Sequence, residues 1–211
     1  MLLLGAGAAG AWASPADPKV NVDYQVLSEA QPTSSGKKVE VTEFFSYRCP
    51  RSYAFEPGLE QWVKAQGDSI VLVRVPVAFR PDEAPLQKLY YTLEALGKAD
   101  ELHAKVFKAI HAERKGLWTD KAIADYAAEQ GIDRQKFLDV YNSFRVQAKQ
   151  RRAAQLSSAY KVAFRPLVAI EGRYETAPDM LAAQMKDKPE SEKMSAALKV
   201  MSYLVKKSVK R

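Results

Sequence analysis

Between Val39 and Phe45 the chain alternates sides: Val39, Val41, Glu43 and Phe45 fall on one face and Glu40, Thr42 and Phe44 on the other, in a run rich in β-branched and aromatic residues. That period of two predicts a strand. The pattern then changes. Pro50 suits a first helical position, and Tyr53, Phe55, Leu59, Trp62 and Val63 keep an apolar helical face that stops at Gly67. The near-continuous apolar run Ile70 to Val77 predicts a strand covered on both faces, and hence a parallel pairing with the first. Strand, crossover helix and strand make a right-handed βαβ unit.

Beyond Phe79 the period stays near 3.6 for a long stretch, which predicts a helical insertion over residues 80–154. One stripe (Leu86, Leu89, Tyr90, Leu93, Leu96) ends at Gly97 and the next (Leu102, Val106, Ile110) ends at Gly116. Thr119 is placed to cap a helix carrying Ile123, Tyr126 and Ala127. Asp133 is placed to cap another carrying Phe137, Tyr141 and Phe144, with no breaker before Pro166, so this last helix is expected to run long with Lys149, Arg151 and Arg152 on a solvated face. The strand signal returns at Pro166 to Ile170, and Glu171-Gly172-Arg173 turns the chain into Tyr174 to Thr176. Helices over Met180 to Met185 and Pro189 to Lys207 close the fold, the second burying Met194, Leu198, Met201, Leu204 and Val205, with a frayed basic end from Lys206 to Arg211. Upstream, residues 15–38 are loop-rich, with one short strand over Tyr24 to Leu27.

Composition sharpens the picture in three places. The chain has 211 residues, 47% hydrophobic and 27% charged, enough for one sizeable domain with an insertion. Its +7 charge is spread over many segments with no nucleic-acid motif, so nucleic acid is not an expected partner. The small apolar opening, with Ala11-Trp12-Ala13 fitting a small-x-small cleavage rule, reads as a signal peptide over residues 1–13, although it lacks a basic start. No later run approaches the ~20 apolar residues of a membrane span, so stable membrane insertion is not expected.

The one cysteine, Cys49, sits where the first strand feeds a helix N-terminus. Unpaired N–H groups and the helix dipole favour a thiolate there, and Arg48 and Arg51 are expected to push the same way. The plainer alternative is a small buried hydrophobe. His103 and His111 lie far along the chain without a paired ligand pattern and read as structural. One cysteine and two histidines cannot close a zinc site without carboxylates, and no metal is expected.

The segment Glu43-Phe44-Phe45-Ser46-Tyr47 running into Cys49-Pro50-Arg51-Ser52-Tyr53-Ala54-Phe55-Glu56-Pro57 resembles the active-site region of the DsbA family of periplasmic thiol:disulfide interchange proteins. Phe164-Arg165-Pro166 to Pro178 is similar to the same family's cis-proline loop, strand and glycine turn. The resemblance implies an α/β thioredoxin fold with an inserted all-helical subdomain: a thioredoxin-like domain over 14–79 and 155–211, with the insertion at 80–154. It also implies that the Arg165 backbone and the Pro166 ring contact substrate peptide. The family motif is Cys-Pro-His-Cys; here Arg51 and Ser52 replace its last two residues, and a serine hydroxyl cannot attack a mixed disulfide.

The catalytic set expected is therefore Cys49, Pro50, Arg51, Ser52 and Glu43, with Arg165 and Pro166 binding substrate. Glu43 shares a face with Val39 and Val41 and should point into the core near the sulfur, where burial raises its pKa; it resembles the family's buried acid. Arg74, where the family often carries a basic partner, would oppose that shift. The reading is a periplasmic, single-cysteine interchange protein working by mixed disulfides with unfolded or cysteine-containing exported proteins. No cofactor is required; glutathione serves as a candidate co-substrate, and glutathione or a membrane redox partner as the resolving partner. Two alternatives stand beside it: a redox-inactive peptide-binding or chaperone-like module of the same fold, and a glutathione-dependent isomerase or transferase.

Overall fold

The structure is a computed structural model that describes residues 17–209; the signal-peptide segment and the last two residues of the basic tail lie outside the described residues. Five strands form one sheet, β1 (Gln25–Val26), β2 (Val39–Phe45), β3 (Ile70–Pro76), β4 (Leu167–Ile170) and β5 (Tyr174–Thr176), in the order β1-β5-β4-β2-β3. β2 and β3 pair in parallel from Val39↔Ile70 to Phe45↔Pro76, as a crossover through α1 (Pro50–Gln66) requires. β4 lies antiparallel against the other side of β2, and β5 and β1 follow antiparallel. The β4-β5 hairpin turns through Glu171 and Gly172, both at positive φ. A Cβ on Gly172 would stand 2.1 Å from the carbonyl oxygen of Gln31, so this turn needs a glycine.

Between β3 and β4 come α2 (Ala84–Ala95), α3 (Ala99–His111), α4 (Asp120–Glu129), α5 (Arg134–Tyr141) and α6 (Phe144–Ala159); α7 (Glu190–Val209) ends the chain. A first hydrophobic cluster runs from the end of β2 (Phe44, Phe45) into Leu89, Leu102, Phe107, Phe137 and Tyr141 of the insertion. A second joins Val39 and Val41 to Phe55 and Leu59 of α1 and Val200, Met201 and Leu204 of α7. The sheet is thus shared between two cores, and the insertion packs directly on the end of β2 that leads to Cys49.

Five expectations change. β3 is the sheet edge, and its centre from Val71 to Arg74 is only half buried, because the apolar run reflects pairing on one side only. α3 stops at His111 rather than Gly116, and Arg114 takes positive φ in the loop that follows. The helix after Asp133 breaks at Asn142: Ser143 extends and its hydroxyl accepts from Val146 N at 3.3 Å, starting α6. This new start leaves Phe144 76% exposed instead of in the core. Met180 to Met185 form turns, not a helix, and the C-terminal end stays helical to Val209, with Lys207 Nζ donating to the Tyr24 hydroxyl at 3.0 Å.

Candidate active site

Where β2 ends, Ser46 organises the turn. Its carbonyl accepts from Cys49 N at 3.0 Å and its hydroxyl from Arg48 N at 3.2 Å. Cys49 is then the N-cap of α1, in extended conformation, with Pro50 at the first helical position. The sulfur is half exposed, and its thiol donates to the carbonyl oxygen of Arg165 at 3.3 Å. The Arg165-Pro166 peptide bond is cis and Pro166 is buried, so the proline loop before β4 stands against the thiol as expected.

Ser52, one helical turn on from Cys49, is fully buried, and its hydroxyl accepts from Ser46 N at 3.4 Å. The position that the resemblance gives to a second thiol is thus closed by an oxygen bonded to the backbone. Arg51 is exposed and pairs with Asp179 and, at 3.8 Å, with Glu190. Arg48 pairs with Asp82 and lies over the Trp118 ring, 5.0 Å from its centroid. Both arginines flank the sulfur in sequence, and each also pairs with an acid from a distant segment. Trp118 and Phe79 are 42% and 44% exposed, an aromatic rim on the loops beside Arg48 and Arg165.

Arg165 contributes more than backbone. Its guanidinium pairs with buried Glu83 at 2.8 Å and stacks on Phe79 at 4.1 Å, while the other Glu83 oxygen accepts from Phe79 N at 2.9 Å. Glu83 therefore ties the proline loop to the loop that follows β3.

Glu43 is fully buried and does pair with Arg74, at 3.3 Å. Arg74 also binds Glu56 at 2.5 Å, and Glu56 lies 3.3 Å from His103 Nε2. His103 is buried, with Nδ1 2.8 Å from the Tyr47 hydroxyl. Burial, then the charge of Glu56, pushes the Glu43 carboxyl up to about 8 in spite of Arg74, so the competition left open by the sequence goes to burial. Burial acts on Glu56 in the same sense, but His103 and Arg74 outweigh it and hold that carboxyl below its usual range. Burial also lowers His103, leaving a neutral imidazole. His111 is a structural residue of this neighbourhood: it stacks on Tyr53 at 4.9 Å and its Nε2 bonds the Tyr47 carbonyl at 2.9 Å.

Sequence reasoning missed Glu56, Glu83 and the role of His103. A signal existed for Glu56, which shares the buried face of α1 with Ser52, Phe55 and Leu59, where an acid needs a partner.

Comparison with known proteins points to one family. Residues 71–186 match the family model described as a DSBA-like thioredoxin domain. A thiol:disulfide interchange protein DsbA from Burkholderia cepacia is 43% identical, with 89% of this chain and 95% of that protein covered. One from Bordetella parapertussis is also 43% identical, covering 89% and 85%. A crystal structure of a variant of Pseudomonas aeruginosa DsbA superposes with a TM-score of 0.81 at 33% identity, covering 91% of this chain and 98% of that one.

Proposed function

The chain belongs to the DsbA-like thioredoxin family, and from that premise we propose that it carries out thiol:disulfide interchange through one sulfur, that of Cys49. The observation that supports this most is the pairing of a half-exposed thiol at a helix N-terminus with the Arg165 carbonyl, over a buried serine. In the forward step the Cys49 thiolate attacks one sulfur of a client disulfide. A mixed disulfide forms and the other client sulfur leaves as a thiolate. Ser52 Oγ has no accessible redox chemistry, so a thiolate from outside the protein must attack the mixed disulfide, form the new disulfide and free Cys49. That thiol is a client cysteine, a small thiol such as glutathione or a membrane redox partner.

Clients are cysteine-containing exported proteins and the compartment is the periplasm, consistent with the apolar N-terminal segment and with a single thiol that needs outside partners. Pro166 and the Arg165 backbone are the client contact, with Arg51 and Pro50 shaping the mouth of the site. Glu43 keeps its proton at neutral pH, so no full negative charge is added within the core from which the Cys49 turn emerges. A peptide with one disulfide tests the reading: intact mass should show a covalent adduct that disappears on reduction and never forms with Cys49→Ala. No adduct, with peptide binding retained, would favour the redox-inactive binding module instead.

A further inference from the structure

Glu43, Glu56 and His103 come from β2, α1 and α3 and are all buried. Each spends one atom on a neighbour: Glu43 Oε2 accepts from Arg74 Nε, Glu56 Oε1 from Arg74 Nη2, and His103 Nδ1 meets the Tyr47 hydroxyl. The second atom of each is buried: Glu43 Oε1 has no hydrogen-bond partner, and Glu56 Oε2 and His103 Nε2 face each other at 3.3 Å. Buried polar atoms are ordinarily satisfied, and here an unsatisfied carboxylate oxygen belongs to a group of three buried side chains whose ligand atoms lie within 4.8 Å of one another.

We propose that these three side chains hold a divalent cation of the zinc class. Two carboxylates and an imidazole leave one open position, as in sites with three protein ligands. The 3.3 Å between His103 Nε2 and Glu56 Oε2 equals the edge of a tetrahedron whose bonds are about 2.0 Å. The outer partners are in place: Arg74 orients both carboxylates through their spare oxygens, and in the tautomer in which Nδ1–H donates to the Tyr47 oxygen, Nε2 presents a lone pair to the cluster. With Glu43 protonated the charges of Glu56 and Arg74 balance, and once a bound cation ionises Glu43 the two carboxylates and Arg74 leave one negative charge facing it. Calcium and magnesium are poorer fits, because calcium takes six or more oxygen ligands and magnesium prefers octahedral oxygen sites, whereas imidazole suits zinc. Cation entry releases the proton of Glu43 to solvent. Cys49 is not among the ligands, so this inference does not rest on the exchange reading.

The test loads the full chain with zinc, removes loosely held metal on a chelating resin and measures metal and protein together. Wild type and Cys49→Ser should each retain one zinc per chain and His103→Gln should retain none. As a check that does not depend on a variant folding, Co2+ added to the wild type should give the visible absorption of a tetrahedral site and shift the ring-proton resonances of His103. Zinc lost with Cys49→Ser, no zinc retained by the wild type, or His103 resonances unmoved by Co2+ would overturn the proposal and leave the three atoms to a buried water.

Discussion

The thiol of Cys49 and the carbonyl oxygen of Arg165 meet at 3.3 Å across 116 residues of sequence. The contact brings the start of α1 to the loop before β4, where the Arg165-Pro166 bond is cis and the exposed rings of Phe79 and Trp118 lie against Arg165 and Arg48. What a disulfide would meet there is one sulfur, a carbonyl edge and no second thiol.

Restoring the missing sulfur should restore a two-thiol reaction. Ser52→Cys places a thiol at the third residue after Cys49, the spacing that supports an internal disulfide at a helix start. The variant should oxidise a reduced client peptide, with the wild type at background in the same assay. An internal disulfide that forms without client oxidation would move the defect to the groove around Arg165 and Pro166.

Glu83 should matter more to activity than its distance in sequence suggests. Glu83→Ala leaves the Arg165 guanidinium, 13% exposed, without its carboxylate, and breaking such a buried pair costs about 3 kcal/mol. Chemical denaturation should show that loss, and mixed-disulfide formation at Cys49 should slow several-fold as the acceptor loop loosens. Glu83→Gln, which keeps an acceptor, should recover part of both.

Stability should fall with rising pH through a residue away from the site. Glu175, on β5, is buried with Oε1 unpaired, and burial pushes its carboxyl up to about 7 from 4.5. An acid raised on folding gives its full stability below the unfolded value and loses it as pH climbs through the folded one. Between pH 4.5 and 7 the wild type should lose at most about 3.5 kcal/mol through this group, at about 1.4 kcal/mol per pKa unit. Glu175→Gln should remove that part of the slope; equal slopes for the two proteins would contradict it.

Phe144 and Phe137 look alike in the sequence and should behave differently. Phe137 is fully buried and Phe137→Ala should cost about 3–5 kcal/mol. Phe144 is largely exposed at the start of α6, and Phe144→Ser should change stability by no more than about 0.5 kcal/mol. Urea unfolding of both variants measures the difference.

These pairs also show where the sequence speaks. The alternation from Val39 to Phe45, the Cys49-Pro50 helix start, the parallel partner strand and the caps Thr119 and Asp133 depend on local periodicity and on side chains bonding their own backbone, and the structure has them. The break at Ser143 used the same capping chemistry but lacked glycine or proline, so the helical period ran past it. Charge pairing was the least legible. Arg48 and Arg51 lie beside the thiol in sequence, while Asp82 and Asp179, which take up their charge, arrive from segments that only tertiary packing brings near. Glu56 and Glu83 take their roles only once the fold supplies Arg74 and Arg165 as buried partners.

The central claim is that one sulfur does the exchange and nothing within the protein releases it. The most direct measurement follows the purified mixed disulfide between Cys49 and a peptide that carries a single cysteine over time at increasing concentrations of added thiol. The account predicts release proportional to thiol concentration with no release when thiol is absent, and an added thiol-independent rate in Ser52→Cys. Release from the wild type without added thiol would contradict it.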